Sequence, residues 1–132
     1  MSRLRFLDNG AKYPKETRRI ELGDYHEDLA GDFIDVWVNF PRRLSNERLA
    51  LAQESIAISE INLGEERDKR LDGLQERMFA FQSEWWGLEV EQVKALYDVD
   101  TTLYGWIVTQ AAKLRADYED SRKKVDDDST DT

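Results

Sequence analysis

His26 is the one histidine in the sequence, so any Ser/His/Asp relay would pass through it, and any histidine-bearing metal site would have to be completed by carboxylates. Asp24, Glu27 and Asp28 stand close by. No serine lies in a strand-turn-helix elbow, however, and Gly23 with Asp24 marks the stretch as a loop. The residues predict a solvated loop histidine without a catalytic role. The carboxylate pairs Glu65 with Glu66 and Glu89 with Glu91 have the chemistry for general acid and base work. Both stand where helices are expected to begin, a place where negative charge is favourable in its own right. Asp126, Asp127 and Asp128 lack the alternating spacing and turn glycine of a calcium loop, and the glycines form neither a dinucleotide-binding turn nor a phosphate-cradling loop. With no cysteine in the chain, thiolate nucleophiles and thiolate-ligated metals drop out. The sequence therefore predicts no catalytic residue, no metal and no cofactor: a protein that is not an enzyme.

Composition narrows the remaining classes. The chain has 132 residues of which 40% are hydrophobic, enough for one compact domain that buries about two thirds of its unfolded surface. We expect that domain over residues 1–118, with a β-rich part at 1–43 and a helical part at 44–118, and an acidic, disordered tail at 119–132. A net charge of -9 repels phosphate backbones, so nucleic acid is not an expected partner. No apolar run reaches the roughly 20 residues of a membrane span, and Met1 to Leu7 lack the pattern of a secretory signal. A cytoplasmic location follows as the expectation.

The elements that would position functional residues are readable in outline. Leu4 and Phe6 alternate with Arg3 and Arg5 ahead of Asp8, Asn9 and Gly10, the pattern of a short extended arm and turn. Thr17 to Leu22 reads as a strand, and so does Asp32 to Phe40, where Ile34, Val36, Val38 and Phe40 share a face until Pro41. The period then changes to that of a helix. Ser45 is the expected N-cap, stapled by Leu44 and Leu49, with a buried face through Ala52, Ile56 and Leu63. Leu71, Leu74, Met78, Phe81, Trp85 and Leu88 form the stripe of a long helix over 66–86 that Gly87 stops. A short helix is expected over 89–97. A last one follows with Asp100 as cap, Val99 and Tyr104 as staple, and Leu103, Trp106, Ile107, Gln110, Ala111, Leu114 and Tyr118 as buried face. The fold class is α+β, a small N-terminal antiparallel β segment followed by three to four helices.

Four tryptophans occur in this short chain. Trp37, Trp85 and Trp106 fall on faces expected to be core. Trp86 sits about 100° around the helix from Trp85 and cannot share its face, so it either packs beneath the short helix or stands exposed as an aromatic anchor.

Two runs carry a resemblance. RRIELGDYHEDLAGDFIDVWVNFPRRLSNERLA, from Arg18 to Ala50, resembles the opening of tail assembly chaperones of long-tailed bacteriophages, in which a β segment leads through a Val-Trp-Val-Asn stretch and a proline to a helix. FAFQSEWWGLEVEQVKALYDVDTTLYGWIVTQAAKLRADY, from Phe79 to Tyr118, is similar to the remainder: a helix ending near Glu-Trp, a short turn, and a last helix with an acidic cap. The family often has a Gly-Pro-rich linker where Trp86 to Asp100 has only Gly87. The resemblance implies a protein without catalytic activity that binds the tape measure protein, and through it meets the tail tube protein, and that is missing from the finished virion. Phe40, Trp85 and Trp86 are then the expected contact surface, since a chaperone needs apolar faces for amphipathic helices and enough charge to keep the complex dispersed. Two other classes fit less of the sequence. An acidic inhibitor imitating DNA would need carboxylates alone on one face, whereas Lys and Arg are interleaved here. A small structural head-tail component would persist in the particle.

Overall fold

The structure is a computed structural model. It describes the backbone of residues 15–130 and the side chains of residues 15–122. The expected arm at Leu4 and Phe6 lies outside them. Two strands, β1 (Thr17–Glu21) and β2 (Phe33–Trp37), pair antiparallel with Ile20 opposite Ile34 and Arg19 opposite Asp35. Alternation turns Ile20, Ile34 and Val36 inward, while on the outer face Arg19 meets the Asp35 carboxylate at 3.1 Å and covers the Phe33 ring at 3.6 Å. Each strand is shorter than its apolar run, but pairing continues one step past β1 and β2 where the Val38 N–H reaches the Glu16 carbonyl. Two single-turn 3-10 segments, Leu22–Asp24 and Glu27–Leu29, fill the connection. Gly23 is needed there, because a Cβ would come within 3.1 Å of the Ala30 backbone.

Four helices follow: α1 (Arg42–Ser59), α2 (Glu65–Trp86), α3 (Val90–Val99) and α4 (Thr101–Thr130). The chain is α+β, a two-stranded β segment leading into a helical remainder. The start of α1 corrects the sequence reading. Pro41, not Ser45, holds the N-cap position, since its fixed φ suits a residue with extended backbone just ahead of the first turn. The buried face is also rotated: Leu44, Leu51 and Ile58 are inside, whereas Leu49 is 58% and Ile56 63% exposed, so no Leu44–Leu49 staple forms. Both rows repeat every seventh residue, and packing against α2 and the central cluster selects the first.

Helix α2 begins with Glu65, Glu66 and Asp68 in its first turn, where the partial positive charge of the unpaired N–H groups favours them. It ends at Gly87, whose φ of 64° is costly for any residue with a Cβ. The Leu88 N–H then turns back to the Ser83 carbonyl at 3.1 Å, closing a Schellman motif. At α3 the Glu89 N–H donates to Gln92 Oε1 at 2.9 Å. Asp100 caps α4 as its position predicts, Oδ1 accepting from the Leu103 N–H at 3.0 Å. The staple is a correction: Val99 is 85% exposed, because Tyr104 turns inward to Gln82 instead.

Helical backbone runs through Thr130, across the stretch from 119 that the sequence suggests as a tail. Extending an established helix costs far less than nucleating one, and Glu119 pairs with Arg115 one turn back. A single cluster joins the inner side of the sheet to α1, the second half of α2, α3 and the first half of α4. Three ion pairs fasten α1 to α2 along its edge: Arg43 with Glu84, Glu47 with Arg77 at 3.2 Å, and Glu54 with Arg70 at 3.0 Å.

Candidate binding surface

The polar candidates resolve into local roles. His26 caps the second 3-10 turn, its Nδ1 accepting from the Asp28 N–H at 3.1 Å, and the side chain is more than half exposed. Glu65 and Glu66 open α2, and Glu89 and Glu91 open α3. Among the described residues no three His, Cys, Asp or Glu side chains come together as a metal site. The resolved pKa shifts arise from ion pairs and from burial. The Arg43 hydrogen bond holds the Glu84 carboxyl below its usual range, burial pushes the Tyr104 phenol up, and burial pulls the Arg115 guanidinium down.

Phe40, Trp85 and Trp86 are brought together, with ring centroids 5.7 Å apart for Phe40 and Trp85 and 6.1 Å for the two indoles. Trp85 and Trp86 are core, not contact surface, and Phe40 is half-buried against them. Trp86 is 1% exposed, held edge-on against Tyr104 at 5.8 Å, while Trp85 lies between Phe40 and Phe81. The Arg115 guanidinium covers the remaining face of Phe40 at 4.4 Å. The adjacent tryptophans are both buried because this end of α2 is enclosed on two sides, by β2 with the following Phe40 and by α4. That enclosure removes the exposed-anchor alternative for Trp86 and corrects the expected site. Both indole N–H groups lack a hydrogen-bond partner among the described residues, at a cost of about 1–3 kcal/mol each.

Exposed apolar area lies elsewhere. Leu71, Leu74 and Met78 on α2 and Tyr104 on α4 line a shallow groove of about 300 Å³, with Asp72 and Gln75 beside them. Leu71 is 41% exposed. The sequence places these side chains on the stripe of α2, and that much is observed. It gives no sign that the stripe outruns its cover, because the covering residues come from distant parts of the chain. The polar side of the groove follows from the helix period, which sets Asp72 and Gln75 next to the apolar row. A second hollow of about 380 Å³ lies between the sheet and α3, lined in part by Phe33, Leu88 and Leu96. The α2–α4 groove has the features that accept one face of an amphipathic helix: leucines at helical spacing, a flexible methionine that adapts its shape, and polar edges. Among the described residues no helix is long and apolar enough to cross a membrane. No family model, curated protein or solved structure matches the chain.

Proposed function

We propose that the chain is a tail assembly chaperone of long-tailed bacteriophages, a protein without catalytic activity that binds helical segments of the tape measure protein and keeps them soluble in the host cytoplasm while tail tube protein assembles around them. It leaves before the virion is complete. The observation that carries this reading is the open groove of Leu71, Leu74, Met78 and Tyr104, an apolar channel on a helical face with no element of the described chain over it. The resemblance of Arg18 to Ala50 and of Phe79 to Tyr118 to that family supports it, and so does the net charge of -9, which disperses a complex with an apolar client. The contact assigned to Phe40, Trp85 and Trp86 moves to the groove, since the two indoles are in the core and Phe40 is half-buried against them.

The competing DNA-mimic reading asks for uncompensated carboxylates on one face. Along α1 and α2 the carboxylates of Glu47, Glu54 and Glu84 are each matched by an arginine. Co-expression tests the proposal. Tape measure segments should stay in the soluble fraction with the native chain and precipitate with Leu71→Asp/Met78→Asp. Equal solubility with both, the variant being folded, would overturn it.

A further inference from the structure

The outer flank of α1 carries a row that nothing in the described chain covers. Ser45, Leu49, Ala52, Ile56 and Ser59 step by four and three residues along one side of the helix, and Leu63 stands exposed in the non-helical connection after it. Leu49 is 58%, Ile56 63% and Leu63 85% exposed. The side chains that engage α2, namely Arg43, Glu47 and Glu54, project from the opposite flank, so the row points away from the hairpin. Its period is that of a coiled-coil seam, and within the helix its composition alternates: the large residues 49 and 56 form one heptad position, the small residues 45, 52 and 59 the other.

We infer that this row is a homodimer seam in which α1 packs antiparallel against α1 of a second copy. One register satisfies the helical positions together. With Ala52 opposite Ile56 of the second copy, Leu49 falls opposite Ser59, so that each large side chain of the helix enters the space left by a small one. A parallel arrangement would set Leu49 beside Leu49 and Ser59 beside Ser59, leaving crowded and empty levels in turn. Charge selects the same direction. The N-terminal end of α1 carries Arg42 and Arg48 on its exposed side, while Glu60 follows its C-terminal end and Glu65 and Glu66 begin α2. Antiparallel packing lays the basic end of one copy along the acidic end of the other, with Arg48 and Glu60 at the same level, and opposes the two helix dipoles. A second copy is the occupant this row fits, because its pattern is complementary to itself reversed. The seam is short compared with stable interfaces, so the dimer is weak and dissociates on dilution. It lies on α1, apart from the α2–α4 groove, and does not depend on what that groove binds.

Sedimentation of the full chain over a concentration series tests this. The weight-average mass should rise toward twice the 15.5 kDa of one chain, and Ile56→Asp should abolish the rise while leaving helical content and unfolding midpoint unchanged. The native sequence has no cysteine, so Ala52→Cys and Ile56→Cys chains can be mixed and oxidised. In an equal mixture the disulfide joining one variant to the other should exceed the one half of linked product that random pairing gives. A monomer at every concentration, a mass increase indifferent to Ile56→Asp, or a mixed disulfide at or below its random share would each overturn the inference.

Discussion

The two halves of α2 carry the same apolar stripe and meet different fates. From Phe79 to Trp86 the stripe and its neighbours are enclosed: Phe79 stacks edge-on with Tyr97, Trp85 with Phe40, and Trp86 with Tyr104. From Glu65 to Leu74 the helix is accompanied chiefly by α1 through exposed pairs such as Arg70 with Glu54, and Leu71 lies open. Periodicity states which side of a helix is apolar. Whether that side becomes core or contact surface depends on whether a distant part of the chain reaches it. The closed half supplies stability, and the open half is the surface to which the proposed function assigns its client.

The contrast can be broken most severely at its closed end. Trp86→Ala removes a fully buried ring and should destabilise by about 3–5 kcal/mol in denaturant unfolding; a loss near zero would mean that α2 is not enclosed there. Next come the two rows of α1. Leu51→Ala should cost about 2–5 kcal/mol, whereas Ile56→Ala, on the exposed row, should stay within about 0.5 kcal/mol. Equal costs would put the helix in a different rotation. Gly87→Ala places a Cβ on a residue with φ 64° and should cost about 1–2 kcal/mol, since the nearest atom, the Asp35 carbonyl oxygen at 3.5 Å, is an ordinary contact and adds no clash.

The smallest effect belongs to the surface. Because Arg43 lowers the Glu84 pKa in the folded state, that pair contributes stability above the unfolded carboxylate pKa and loses it as pH falls through the folded value. Between neutral pH and pH about 3 the native chain should therefore lose more in melting temperature than Glu84→Gln does. The difference is small because exposed ion pairs contribute about 0–1 kcal/mol.

These contrasts separate what the sequence makes legible from what it hides. Local signals read well: Gly87 stops α2 through its backbone freedom and Asp100 caps α4, each through chemistry contained within a few residues. The phase of α1 does not, because rows 44/51/58 and 49/56/63 have equal period and only packing against α2 and the central cluster distinguishes them. Trp86 is undecidable from sequence for a similar reason, as a helix enclosed on two sides buries neighbours that a single stripe would separate. The aromatic residues point to the wrong half of α2 as the candidate site: large rings read as partner anchors, yet in a chain of this size they are also what fills the core. The continuation of α4 past Tyr118 is hidden because a charged segment gives no apolar period, although helix propagation does not require one.

The central claim, that the client occupies the open groove of α2, has a direct reporter. The sequence contains two methionines, so a methionine-methyl NMR spectrum resolves Met78 with little overlap. Titration with a helical tape measure peptide should shift and broaden the Met78 resonance, and Leu71→Asp should abolish the change. A peptide that binds while the Met78 signal stays in place would contradict the account.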